Sequence, residues 1–307
     1  VSGRRNQPIA VSVGAHNALA VRLQAVLAWL PKAAQFPEAD IEHVHQLRVS
    51  TRKAAAALKL FRDLLPKKRT RRLKAMLKAI RNAAGDARDL DVLIARLDAR
   101  AKRKPSLMPL VEHLRARREA AQPALLEVWR STADGSLEQA VNELLKRVRW
   151  RDDSPEPDLH DAAIAWLAPI VKAWLSKAPP QDRRVSVERL HRFRIATKQL
   201  RYALDLMAAA WPADDLAKVM KPVRSLQERL GNLNDHDTAL RHYQTWLAEC
   251  PSKSGNADDA ELAKLIEAQI ALEKKRLGRS VERFHQWWSD ERRDRLHRRL
   301  QKLLEQA

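Results

Sequence analysis

An all-α protein is predicted by three features of this 307-residue sequence: a helix-forming composition, apolar positions at helical spacing, and one helical pattern that occurs twice. Ala, Leu, Arg, Lys, Glu and Gln dominate, while 7 glycines and 2 tyrosines leave little material for strands or tight hairpins. The length suffices for one large or two medium domains, each with a real hydrophobic core.

Helix breaks are expected at Pro31 and Pro37, Pro66, Gly85, Pro105, Asp134-Gly135, the run Asp152 to Pro157, Pro179-Pro180, Pro212, Gly231, and Pro251 to Gly255. The run at 152–157 divides the chain into two halves, 1–150 and 151–307, each expected to form an antiparallel helical bundle. His45, Arg48, Thr51, Leu58, Leu60 and Pro66 recur 146 positions later as His191, Arg194, Thr197, Leu204, Leu206 and Pro212. The same offset carries Gly85 onto Gly231, Asp89 onto Asp235 and Asp91 onto Asp237. Asp40 maps onto Ser186, both good N-caps ahead of the periodic segment, and Trp29-Leu30 matches Trp174-Leu175 with a one-residue shift.

On a helix running from Asp40, His45, Arg48, Arg52 and Lys59 fall within an arc of about 60°, with Leu47, Ala54, Leu58 and Phe61 opposite. In the repeat, His191, Arg194, Lys198 and Arg201 lie together, backed by Phe193, Leu200, Leu204 and Met207. A further stripe, Arg71, Lys74, Lys78 and Arg81, follows on the next predicted helix, and its aligned positions in the second half are Ala217, Met220, Arg224 and Gln227. Like charges so spaced repel by a few tenths of a kcal/mol per pair, so stripes kept in both halves point to a ligand rather than a solvated face. Cations about 5 Å apart along a helix suit a linear phosphate chain, because Arg forks grip two oxygens and Lys offers a mobile charge. Two stripes side by side would form a cationic groove.

The net charge of +20 favours a polyanionic partner, and it is lopsided, with 30 basic and 14 acidic residues in 1–150 against 28 and 24 in 151–307. The first half is therefore expected to anchor such a ligand and the second to extend its grip. No membrane span is expected, since the longest apolar stretch, Ala162 to Val171, contains Pro169 and ends at Lys172. The start, Val1 to Arg5, lacks the apolar region of a signal peptide, and the lone Cys250 allows no internal disulfide, so a cytoplasmic setting is expected.

His45-Gln46-Leu47-Arg48-Val49-Ser50-Thr51-Arg52-Lys53 and His191-Arg192-Phe193-Arg194-Ile195-Ala196-Thr197-Lys198-Gln199-Leu200-Arg201-Tyr202 resemble the two signature helices of the CHAD family, the conserved histidine α-helical domain. Gly85 to Asp91 and Gly231 to Asp237 resemble its second recurring motif. The resemblance implies two helical bundles related by a pseudo-twofold axis, a basic surface that binds inorganic polyphosphate, no catalysis, and an association with polyphosphate granules. Carried over residue by residue, the binders are His45, Arg48, Arg52 and Lys53, then His191, Arg194, Lys198 and Arg201. Arg88 belongs to the second motif, where the repeat has Asn234; Ala55 stands where the repeat has Arg201. The alternative partner is RNA or DNA, held by its backbone on the same surface.

Other chemistries are weaker expectations. Asp89 with Asp91 and Asp235 with Asp237 offer carboxylates to a metal, but after a glycine helix stop they read better as N-caps or as partners of neighbouring arginines. Glu42 to His45 and Glu188 to His191 repeat the E-x-x-H spacing of di-iron bundles, yet Arg48 and Arg194 one turn on would repel a dication. No nucleophile elbow or phosphate-cradling glycine loop occurs, nor the Glu-x-Glu-x-Lys signature of the CYTH-type hydrolases often joined to CHAD modules, so no cofactor, metal or catalytic residue is expected. Trp29, Trp166 and Trp174 read as core, Trp287-Trp288 as packing at a helix end, and His45 and His191 as groups whose charge should respond to a bound phosphate.

Overall fold

The computed structural model describes residues 8–36, 40–181, 185–250 and 257–305. The architecture is all-α. Ten α-helices follow one another among the described residues: α1 Val11–Gln35, α2 Glu42–Leu60, α3 Lys67–Ala101, α4 Met108–Arg130, α5 Ser136–Leu145, α6 Leu159–Lys177, α7 Val187–Leu206, α8 Ala213–Glu249, α9 Ala257–Trp287 and α10 Asp290–Leu304. Single-turn 3₁₀ helices sit at Arg62–Leu64, Pro105–Leu107 and Ala208–Ala210. The 146-residue offset reappears in the elements themselves, Arg62 to Ala208 and Lys67 to Ala213. The expected breaks at Pro37 and over Pro251 to Gly255, and the chain start Val1 to Arg5, lie outside the described residues.

Several breaks fall as the sequence suggests. Pro66 and Pro212 immediately precede α3 and α8, and Gly135 takes φ +80° ahead of α5, a left-handed conformation that glycine adopts without a Cβ penalty. Ser186 caps α7 by accepting the Arg189 amide, whereas the expected cap at Asp40 is displaced: Ile41 holds the N-cap position of α2, and Asp40, two residues before the helix, accepts the Glu42 amide on Oδ1 at 2.8 Å. Pro31, however, lies inside α1, whose last turn is retained because Leu30, Ala33 and Ala34 are buried there.

Gly85 and Gly231 correct the sequence reading more deeply: neither stops a helix, and both sit in the middle of α3 and α8. Interior glycine costs about 1 kcal/mol relative to alanine, and the apolar faces on either side of Gly85, with Leu77, Ile80 and Ala84 before it and Leu90, Leu93 and Leu97 after it, outweigh that cost. The two helices are thereby long enough to serve two apolar clusters. The larger cluster unites Leu23, Leu47, Leu58 and Leu77 with Trp174, Phe193, Leu200, Leu226 and Leu300. A smaller one joins the far ends of α3 and α8 to α4 and α9, through Leu93, Leu97, Leu114, Tyr243, Trp246 and Ile266. Both clusters contain residues from 1–150 and from 151–307.

The tryptophans serve this packing. Trp174 is buried with its indole N–H donated to Thr197 Oγ1 at 3.2 Å, and Trp288 is buried with its N–H donated to the Pro179 carbonyl at 2.9 Å. Trp29, Trp166 and Trp287 are half-buried against the same core. No helix among the described residues is long and apolar enough to cross a membrane.

Candidate functional site

The repeated helices α2 and α7 pack against each other, and their apolar faces fix their rotation. Leu47, Ala54 and Leu58 are fully buried on α2, as are Phe193 and Leu200 on α7, so the cationic faces behind them cannot turn away. They line a cleft of about 330 Å³. To it α2 contributes His45, Arg48 and Arg52, and α7 contributes Arg194 and Lys198. Its remaining walls come from the middle of the long helices: Arg88, Asp89, Val92, Leu93 and Arg96 of α3, and Asn234, Asp235, Thr238, Ala239 and His242 of α8.

Arg48 is the best-anchored cation. Its Nη1 donates to the carbonyl oxygens of Ala84, at 3.3 Å, and Gly85, and its Nη2 lies 3.5 Å from Asp89 Oδ1. A Cβ on residue 85 would stand 3.5 Å from that guanidinium, an ordinary van der Waals contact, so the Arg48 contact does not by itself demand a glycine. Nothing lies within 4 Å of the same point on Gly231, and the structure offers no steric reason for that glycine.

The four repeated aspartates lie inside helices and therefore are not N-caps; each faces a cation, the other role the sequence allowed. Asp91 pairs with Arg118 at 2.7 Å, Asp235 with Arg96 at 3.4 Å and Asp237 with Arg241 at 2.8 Å. Asp89 sits between Arg48 and His242, whose Nε2 is 3.5 Å from Oδ2. Among the described residues, three metal-type ligand atoms converge at Asp158, His160 and Asp161 on the first turn of α6, not at these aspartates.

Crowding shapes the charges. Burial, followed by the fields of Arg52, Arg194, Arg201 and Arg48, lowers the Lys198 pKa to about 7. Burial and then Arg88 push His45 below its ordinary value. For Asp89, burial alone would raise the carboxyl, but the His242 hydrogen bond and the Arg48 charge bring it below the usual range.

Of the cations expected from sequence, His45, Arg48, Arg52, Arg88, Arg194 and Lys198 meet in the cleft. His191 lines a small recess beside it, together with Arg194, Asn234 and Asp237. Arg201 donates Nε to Gln227 Oε1 and stacks over Tyr202 at 4.7 Å. Lys53 is half-buried outside the cleft lining, and Arg224 is exposed on α8. Lys59, at the far end of α2, borders a separate and more apolar groove of about 280 Å³ with Trp166 and Tyr202. Arg71, Lys74 and Lys78 are exposed and Arg81 half-buried on the first half of α3, beyond the cleft. Because α3 runs unbroken through Gly85, this stripe shares an arc of about 100° with Arg88 and Arg96 and leads toward the cleft instead of walling it. Arg96 and His242 escaped the sequence reading, although they too stand 146 positions apart, since an arginine and a histidine do not register as a repeat.

Fold and site together define an all-α protein with arginines, lysine and histidines from four helices around one cleft. The chain belongs to the CHAD domain family, whose sequence model matches residues 17–244. Its fold is similar to the crystal structure of the CHAD domain from the plant Ricinus communis, with a TM-score of 0.70 and 22% identity over 90% of this chain and 94% of that one. It is also similar to PptA from Streptomyces chartreusis, with a TM-score of 0.59 and 15% identity over 88% of this chain and 99% of that one. No curated protein matches it in sequence.

Proposed function

We propose that the cleft binds inorganic polyphosphate without turning it over. The observation that carries this reading is the convergence of Arg48, Arg52, Arg88, Arg96, Arg194 and Lys198 on one space of about 330 Å³. Holding like charges together is unfavourable unless an anion of comparable density offsets it, and guanidinium forks suit phosphate oxygens. Family membership implies the same ligand. None of the lining residues is Phe, Tyr or Trp, so the platform on which single-stranded nucleic acids stack their bases is missing from that lining, which favours a bare phosphate chain. Binding without turnover is supported by the carboxylates there: Asp89, engaged by Arg48 and His242 and held below the usual carboxylate range, is a poor general base, and Asp235 is paired with Arg96. The test is competition at physiological salt between long-chain polyphosphate and labelled single-stranded DNA, with free phosphate followed over hours, with and without Mg²⁺. Polyphosphate should displace the DNA, and no phosphate should appear; release of phosphate would make the protein a hydrolase, and failure to displace would favour the nucleic-acid reading.

Binding should take up protons. In the free protein Lys198, with a pKa near 7, is mostly neutral at pH 8, while a bound phosphate favours its charged form, as it does for His45. Affinity is therefore expected to increase as pH falls from 8 to 6, by up to about tenfold per unit for each proton taken up. Calorimetry in buffers of different ionisation enthalpy measures that uptake, and Lys198→Met should reduce it. The same depressed pKa means that the folded state bears the cost of a buried charge in full below about pH 7 and sheds it progressively from there up to the ordinary lysine value. Lys198→Met should accordingly raise the denaturation midpoint more at pH 6 than at pH 9.

A further inference from the structure

Lys198 is the one lysine in the cleft lining, and five arginines share that lining with it. Both carboxylates there are engaged elsewhere, Asp89 by Arg48 and His242 and Asp235 by Arg96. Among the described residues no carboxylate pairs with Lys198, whose Nζ instead lies 5.9 Å from the centroid of the Tyr202 ring, at the outer limit of a cation–π contact. An amine so placed, half-buried among guanidinium groups without a counter-ion, sheds its proton readily, and a pKa of about 7 leaves most of it uncharged at pH 7.5. An exposed lysine at that pH is neutral in roughly one molecule in a thousand. Desolvated lysines beside other cations are nucleophiles for this reason.

From this arrangement we infer that Lys198 is a site of covalent acylation, and that the reagents it takes are small acyl phosphates, the mixed anhydrides of a carboxylic and a phosphoric acid. A cleft of about 330 Å³ holds a molecule of that size, and its arginines favour an electrophile that carries a phosphate over one that does not. The Nζ lone pair attacks the acyl carbon and an amide C–N bond forms. The C–O bond to phosphate breaks, and the leaving phosphate departs with that electron pair and takes the amine proton as hydrogen phosphate. The guanidinium groups also offset the negative charge that develops on the acyl oxygen. Polyphosphate has no acyl carbon, and its phosphates return Lys198 to the charged, unreactive form, so the same amine leaves that chain intact. The amide carries no charge, and acylation thereby removes one cation from the cleft. Polyphosphate in turn shields the amine. These last two links alone rest on the polyphosphate reading above.

Incubating the whole chain with acetyl phosphate and locating acetyl groups by peptide mass spectrometry tests the inference. At pH 7.5 Lys198 should be acetylated about tenfold or more faster than the exposed Lys172 and Lys275. Its rate should level off above about pH 8, while theirs continue to climb by about tenfold per unit. With phenyl acetate, which offers the arginines no phosphate, the preference should be severalfold smaller. Equal rates at all three lysines would overturn the inference, and so would an undiminished preference with phenyl acetate, which would mark a reactive amine that does not select phosphates. Saturating polyphosphate should suppress acetylation at Lys198 and spare Lys172 and Lys275. By calorimetry Lys198→Gln, which removes the charge as the amide does, should bind long-chain polyphosphate about tenfold more weakly, the effect of one charge-assisted contact, and Lys198→Arg should not. Unchanged affinity in Lys198→Gln would overturn the effect of acylation on the cleft; circular dichroism separates these outcomes from unfolding. A parent protein that is acetylated at Lys198 yet fails to bind polyphosphate would sink the functional proposal and leave the acylation site standing.

Discussion

Replacing Arg48 and Arg52 together by glutamate should reduce polyphosphate affinity by two orders of magnitude or more. Each replacement alters the charge at the cleft wall by two units, and at an effective dielectric constant of about 20 a unit charge a few ångströms away is worth roughly 3–4 kcal/mol. The sequence suggested that the first half anchors the ligand and the second extends it. With Arg194 and Lys198 lining the same cleft as Arg48 and Arg52, reversing that second pair should cost short chains nearly as much. Dependence on chain length should come from the exposed stripe of α3 instead, so that reversing Arg71, Lys74 and Lys78 weakens long chains and spares short ones. Arg48 also holds the backbone at Gly85, and Arg52→Glu alone is the cleaner variant because its guanidinium Nε donates only to the Arg48 carbonyl, at 3.1 Å, one turn back in its own helix. Equal losses for every length in the stripe variant would show that the stripe does not extend the cleft.

Affinity should also fall by roughly two and a half to three orders of magnitude between 50 and 200 mM salt. Five arginines in the cleft would release several condensed counterions from the ligand, giving a log–log slope of roughly −4 to −5 if polyphosphate behaves as nucleic acids do. Titrations at four or five salt concentrations measure it. A slope near zero would mean that one or two phosphates at most are engaged.

Helix content and several helix starts were legible because they depend on local propensity and spacing: α3 and α8 begin just after Pro66 and Pro212. What sequence could not weigh was the tertiary environment of a breaker. Gly85 reads as a stop from its neighbours in the chain, and only the burial of apolar residues on both sides of it explains why α3 continues. The same misreading displaced part of the site. With α3 ended at Gly85, Arg71 to Arg81 seem to be the stripe beside α2, whereas the unbroken helix carries Arg88 and Arg96 there instead. His45, Arg48 and Arg52 were readable because their spacing and the apolar residues behind them belong to a single helix. The crossed partners Arg96 with Asp235 and His242 with Asp89 are 139 and 153 residues apart and have no local signature.

The smaller apolar cluster also bears on how the chain is made. Leu90, Leu93 and Leu97 of α3 are covered partly by α4, which follows at once, and partly by Ala239, Tyr243 and Ile266. Ala239 emerges 142 residues after Leu97. At translation rates of about 5–20 residues per second, that leaves a nascent α3 with a bare apolar flank for roughly seven seconds or longer. During that time the cationic side of the same helix, with Arg88 and Arg96, also lacks the facing residues that α7 and α8 supply. The apolar flank of α3 is thus covered only when α8 and α9 arrive, and α8 brings with it the last wall of the cleft.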